Sequence, residues 1–348
     1  MLSKNAVKTV LAALALSSAA LSASTASAGH GDTLKAVKER GHLLCTSGNS
    51  NFLGFFEVGD NGEWKGLDID YCRALATAIF GSEDNLKLVP ISWAQRFPAL
   101  QSGEIDVVIK ATGWTMSRDT ELAIQFSRPY FLGVTGFAVN KDLGVETAAE
   151  LEGGSICVAS GTSTERLTAN YLESNNIDAE LITYEKIDET YAAYYAGRCD
   201  AVSEWGPSLA ATLSQSENPD AHVILPDAIA VEPEAAAMRQ GDDQWVDVVN
   251  WLYSVTLVAE EYGITSANVD EFKANPPDTT VSTLLGVTPG IGDRLGLSND
   301  WAYNVIKAYG NAAEIYHRNI GENSPYKLPR GKNALWKDGG VLYPMVLD

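Results

Sequence analysis

Two five-residue stretches punctuate this chain in the same way. Ser102-Gly103-Glu104-Ile105-Asp106 is echoed by Ala196-Gly197-Arg198-Cys199-Asp200. In each, a small residue and a glycine close a helix-patterned window, and an aspartate opens an apolar run. Each also sits at the same place in a longer order of elements. Segments 43–46, 86–91 and 105–109 read as strands, with helices predicted over 68–80 and 94–101. In the second half of the order, 155–159, 181–184 and 199–203 read as strands, with helices over 164–173 and 188–196. Run 105–109 is continuously apolar after Asp106, the pattern of a strand covered on both faces. Alternating strands and helices predict an α/β fold made of two similarly built lobes.

The length agrees with two lobes. The first 28 residues have the pattern of a secretory signal peptide: Lys4 and Lys8, an apolar run over 10–21, and the small-residue site Ala26-Ser27-Ala28. The apolar run is short for a membrane span. Cleavage would leave 320 residues, more than one typical core holds. Segments 136–140 and 235–239 read as extended crossings. They divide the chain into a signal peptide over 1–28, lobe one over 29–140 plus 235–348, and lobe two over 141–234. Two crossings leave a cleft between the lobes and a hinge beneath it. Beyond 242 the chain reads as helix and loop. Helical windows cover 244–262 and 300–319, and a proline- and glycine-containing wrap covers 324–348.

Four cysteines in an exported chain predict two disulfides. The pairs Cys45–Cys72 and Cys157–Cys199 are favoured because each falls within one lobe. Zinc would need a different spacing, and the four histidines are scattered. Charge excludes another class of partner. The chain carries 25 basic and 45 acidic residues, and the first 28 hold two lysines and no acids, so the remainder has a net charge of −22. Nucleic acids and anionic membranes are disfavoured.

Just beyond run 105–109 lies a loop that presents Arg118. Ligands of open α/β sheets bind outside the carboxyl ends of strands, and a guanidinium meets a carboxylate through two parallel N–H groups. Across the predicted cleft, Gly161-Thr162-Ser163-Thr164 opens a helix. Its free N–H groups and positive dipole end suit an anion.

The chain resembles the periplasmic amino-acid-binding proteins of ABC importers, and within them the general L-amino-acid-binding branch. The stretches that carry the likeness are GLDIDYCRALATAIFG (66–81), RFPALQSGEIDVVI (96–109), WTMSRDT (114–120), GTSTE (161–165) and AGRCD (196–200). EEYGITSANVDE (260–271), NDWAYNVIKAYGN (299–311) and RGKNALW (330–336) extend it to the C-terminal region. The resemblance implies a type II periplasmic-binding fold, a C-terminal helical extension, no cofactor or metal, and one small carboxylate-bearing solute closed between two lobes. It implies a monomer in the periplasm that delivers the solute to a membrane permease. It also implies that Arg118 and the 161–164 loop share the α-carboxylate.

Two positions depart from the family pattern. An acidic residue that receives the α-ammonium is replaced by Trp205, with Glu204 beside it and, by strand alternation, on the opposite face. A ligand-holding threonine before Trp114 is replaced by Gly113, next to Thr112. Trp205, with Phe52, Phe55 and Phe56 after the first strand and Trp114 and Trp93 as further walls, suits a methylated cation in an aromatic cage. The competing expectation gives the acidic role to Glu204 and keeps an ordinary amino acid as ligand. An enzyme resembling cyclohexadienyl dehydratases is a third expectation, with Glu57, Asp68, Glu165 and Glu204 as candidate acids. No histidine is placed as a general base, and the reading favours a binding protein over an enzyme.

Overall fold

The computed structural model describes residues 32–348, and the expected signal peptide lies outside them. Helix α1 (Asp32–Arg40) leads into strand β1 (Leu43–Gly48), and β2 (Glu57–Val58) and β3 (Trp64–Lys65) form a small antiparallel ladder. Helix α2 (Leu67–Phe80) buries Ile69, Cys72, Leu75 and Ala76 and stops at Gly81. The φ of 80° there is the left-handed cap that a residue without Cβ adopts at low cost. Strand β4 (Leu86–Ile91) pairs parallel with β1 and is followed by helix α3 (Arg96–Ser102).

The expected third strand, 105–109, forms only bridges. Val107 pairs with Cys45 on one side and Val108 with Ala237 on the other. Beyond them the Thr46 hydroxyl intercepts the ladder. It donates to the Ile109 carbonyl and accepts from the Ile109 N–H, each at 3.0 Å. The run is still fully buried, so the apolar pattern reported burial correctly while a side chain replaced the backbone pairing.

Helix α4 (Met116–Glu121) carries Arg118. A long strand, β5 (Ile124–Asn140), follows, and then β6 (Ser155–Ala159), α5 (Ser163–Asn175), β7 (Glu180–Tyr184), α6 (Ile187–Tyr195), β8 (Ala201–Trp205), α7 (Gly206–Ser214), β9 (His222–Ile224) and β10 (Ala230–Arg239). Their sheet has the order β10-β5-β8-β6-β7, with β9 also on β5. Strand β6 is parallel to β7 and β8, whereas β5 is antiparallel to β8, β9 and β10. The segments expected as crossings differ in their pairing: 235–239 lies in β10 and pairs with the start of β5, whereas 136–140 is the end of β5 and pairs with β8 and β9. Strands β5 and β10 form one antiparallel ribbon from Ile124↔Arg239 to Thr135↔Ala230. Its register slips on either side of Ala235, which faces Pro129. Proline has no N–H to give the ladder, and the Ala236 N–H donates instead to the Ser127 hydroxyl at 2.9 Å.

Cys45 is bonded to Cys72, tying β1 to α2, and Cys157 is bonded to Cys199, tying β6 to the start of the β8 segment. Strand β8 begins at Ala201 rather than at 199, because the Asp200 carboxylate turns back to accept from the Ser155 N–H and hydroxyl, each at 2.8 Å.

The C-terminal region holds α8 (Asp243–Glu261), α9 (Val269–Ala274), α10 (Thr279–Leu284), α11 (Ile291–Leu295), α12 (Trp301–Tyr309) and α13 (Ala312–Asn319). The single helix expected over 300–319 is two. Gly310 ends the first, and Asn311 with Glu314 makes a reciprocal capping box that starts the second. The remaining tail docks on the β5 ribbon. The Asn333 side chain accepts from the Leu132 N–H at 2.7 Å and donates to the Leu132 carbonyl at 2.9 Å, imitating a further strand.

Candidate functional site

Six segments converge on one small cavity: the loop after β1, the segment after β4 with the start of α3, Ala111 after run 105–109, the first turn of α5, the end of β8, and the first half of β10. Phe52, Trp93 and Arg96 line it from one side, and Ser163, Thr164 and Trp205 from another. Its volume is about 20 Å³, room for about one water molecule. A larger guest therefore requires the lining elements to separate.

Arg118 is not itself among the lining residues; it lies behind Gly113 and is 2 % exposed. Thr115 caps its helix, and the first turn brings the guanidinium back over the preceding loop, where Nη1 donates to the Gly113 carbonyl at 2.7 Å. Its carbon lies 5.3 Å from the Phe97 ring centroid, and its Nε has no hydrogen-bond partner. Burial lowers its pKa to about 10, with the Arg166 charge acting in the same direction. The group therefore stays cationic at neutral pH, with an unused N–H. Gly113 is the point of convergence. A Cβ built on it would lie 2.6 Å from Glu232 Oε2, 3.3 Å from Ser163 Oγ and 3.5 Å from Arg118 Nη1. A side chain here would occupy the space where α5 faces Arg118.

The 161–164 loop divides its work. The Gly161 N–H is used by the Glu165 carboxylate at 2.7 Å, and Thr162 caps α5 by accepting from the Glu165 N–H at 3.0 Å. Ser163 and Thr164 open the helix and line the cavity. Their first-turn N–H groups have no intrahelical acceptor to use.

Glu204 and Trp205 both line the cavity, contrary to the opposite faces expected from strand alternation. Strand β8 ends at Trp205, which keeps an extended backbone (φ −65°, ψ 121°) and pairs with Thr135 before the chain enters α7, so the cavity lies at the end of this strand. Glu204 Oε1 accepts from the Trp205 N–H at 2.7 Å. Burial raises the Glu204 pKa to about 8. The Trp205 indole packs against Phe55 at 4.9 Å, Phe131 at 5.1 Å and Phe52 at 6.2 Å. Its Nε1 has no partner.

Other expected site residues stand back. Phe55 is fully buried and supports Trp205 from behind rather than lining the cavity. Thr112 spends its hydroxyl on the Lys110 carbonyl at 2.7 Å. Trp114 is 39 % exposed and stacks on Phe126 at 5.8 Å, away from the lining.

Sequence reasoning missed Arg96, Glu232 and Glu234, all of which line the cavity, and Lys110 behind it. Arg96 donates to the carbonyls of Trp93 and Gly161, linking α3 to the α5 loop. The Lys110 ammonium lies 3.6 Å from the Phe56 ring centroid and 4.1 Å from that of Trp93. Asp68 lies beneath, accepting from the Tyr130 hydroxyl at 2.7 Å and the Ala111 N–H at 2.8 Å, with its pKa raised by burial to about 7. A signal existed for the acids: Glu232 and Glu234 are two residues apart in an otherwise apolar crossing and so share one face.

Residues 46–258 match the family model described as bacterial extracellular solute-binding proteins, family 3. The chain is 46 % identical to the general L-amino acid-binding periplasmic protein AapJ of Rhizobium johnstonii, over 93 % of this chain and 95 % of that protein. It is 40 % identical to the glutamate/glutamine/aspartate/asparagine-binding protein BztA of Rhodobacter capsulatus, over 94 % and 96 %. A solved periplasmic binding protein from Brucella ovis with glutathione bound superposes with a TM-score of 0.87 and is 46 % identical. The match covers 92 % of this chain and all of that one. The fold is the two-lobed type II periplasmic-binding fold, and these relatives are binding proteins of transport systems rather than enzymes.

Proposed function

The chain belongs to the bacterial extracellular solute-binding proteins, family 3, and from that premise we propose that it captures an amino acid for an ABC importer. The observation that carries this reading is Arg118: a buried guanidinium with an unused N–H, facing the first turn of α5 across Gly113. Arg118, Ser163 and Thr164 hold the α-carboxylate. Lobe one is 29–140 with 235–348, and lobe two is 141–234. Binding closes the lobes about the β5–β10 ribbon, and the closed form docks as a monomer on a membrane permease. The cavity volume supports closure as a step, because an amino acid could enter only an opened cleft. Export places the mature chain in the periplasm, beginning at Gly29; N-terminal sequencing of the exported protein tests this.

A second reading rests on Trp205 and its parallel Phe52 neighbour, 13° from coplanar. These rings would wall a carboxylate with a methylated cation. Calorimetry of the mature protein with the common L-amino acids, glutathione and glycine betaine separates the two readings. Binding of betaine alone would refute the amino-acid reading. Retained affinity in Arg118→Ala would reject Arg118 as the anchor.

A further inference from the structure

We infer that Glu232 and Glu234, on the second crossing strand, form the subsite for the ligand's ammonium group. This rests on the reading above, in which the ligand is a zwitterion whose carboxylate meets Arg118. Both side chains are 3 % exposed, both line the cavity, and they flank Pro233 on one face of β10. Each keeps one oxygen, Oε2, without a hydrogen-bond partner. Glu232 is oriented by the Thr135 hydroxyl, which donates to its other oxygen. A carboxylate oxygen left bare in a buried cavity calls for a donor, and two of them call for a group with several N–H bonds.

The spacing suits a zwitterion. Glu232 Oε2, Ser163 Oγ and Arg118 Nη1 all lie within 3.5 Å of the single point where Gly113 lacks a side chain. A cation acceptor and a carboxylate anchor so close together match groups borne on one carbon atom. Burial, and after it the neighbouring Glu232 charge, raise the Glu234 pKa against the pull of Arg118 and Arg96, so a cation arriving between the two carboxyl groups would favour their charged forms.

The same observations turn away from the neighbouring candidates. Glu204 has turned one oxygen back to the Trp205 N–H. A quaternary ammonium has no N–H to offer Glu232 and Glu234. Trp205 thus becomes a wall for the ligand's side chain, and the ammonium lies toward β10.

The test uses the mature protein and calorimetry with L-glutamate, L-glutamine and L-arginine, each beside its desamino analogue: glutarate, glutaramate and 5-guanidinovalerate. In the unaltered protein, loss of the ammonium weakens binding at least 100-fold. Glu232→Gln and Glu234→Gln each weaken the amino acids more than tenfold and leave the desamino analogues within threefold. Thermal melts check that the isosteric variants are folded, and the comparison of ligands on the unaltered protein needs no variant. The inference is overturned if both carboxamides bind amino acids normally while Arg118→Lys does not; the amino-acid reading would then stand without this subsite. It is equally overturned if Glu204→Gln alone removes the preference for the ammonium. If none of the three amino acids binds and betaine does, the amino-acid reading falls and takes the inference with it.

Discussion

Gly133→Ala should act on the site through one steric contact. Gly133 lies in β5 opposite Glu232, with ordinary strand backbone, so alanine is not excluded by its conformation. Its missing Cβ is what matters. That atom would lie 2.6 Å from Cζ2 of Trp205 and closer still to Nε1 and Cε2 of the same ring. Ordinary contact distances are about 3.5–4.0 Å, so the rigid indole would have to move by more than an ångström. Phe55, Phe131 and Phe52 surround it and leave only the cavity as an exit. The cost should reach the top of the small-to-large range, about 3 kcal/mol. Affinity should fall as well, because the displaced ring enters the ligand space. Trp205→Ala costs about 3–5 kcal/mol in its own right. In that background Gly133→Ala should be neutral to within about 0.5 kcal/mol, giving a coupling energy of roughly 2–3 kcal/mol. Urea denaturation of the four proteins measures this cycle. An equal cost of Gly133→Ala with and without the indole would refute the steric argument.

Arg118→Ala should weaken amino-acid binding by about 3–5 kcal/mol, since the ligand carboxylate would be buried without its partner; titration calorimetry reads this directly. Glu204 has a native pKa of about 8, raised from 4.5. The unfolded chain therefore releases this proton at lower pH than the native protein, and stability falls as pH rises from about 4.5 to 8, by up to about 1.4 kcal/mol per pH unit. Melting temperatures across this window should show a shallower decline for Glu204→Gln than for the parent. Reducing the disulfides, whose cysteines are 27 and 42 residues apart, should cost about 3.5–4 kcal/mol each, visible as a lower urea midpoint in reductant. Asn333→Ala leaves both backbone groups of Leu132 without the tail's amide and should cost about 1–3 kcal/mol; an unchanged midpoint would show that water replaces it without loss.

Local pattern made most elements legible. Helix α2 was readable because its apolar residues recur at helical spacing and Gly81 stops it. Strand β6 was readable as an apolar run between turns. The break at Gly310 was legible in principle, since Asn311 and Glu314 spell a capping box, but continuous helical spacing on either side masked it. Run 105–109 was read correctly as buried and incorrectly as a regular strand, because no pattern announces that Thr46 will take the place of a backbone partner.

The candidate site divides along the same line. Arg118 and the start of α5 could be found from residue type and position, because a guanidinium after an apolar run and a hydroxyl-rich helix start each have a chemistry of their own. Glu204 and Trp205 were located as neighbours, and only the folded chain showed both of them lining one cavity at the end of β8. Glu232, Glu234 and Arg96 acquire meaning only from distant neighbours: Thr135 and Gly113 for Glu232, and the Gly161 carbonyl for Arg96. The order of most elements, the disulfide candidates and the candidate residues Arg118 and 161–164 were legible in the sequence alone, because periodicity and functional-group chemistry are local. Which charges share a cavity was decided by the pairing register of β5 and β10, a contact between segments about a hundred residues apart along the chain, whose energy no single stretch of sequence contains.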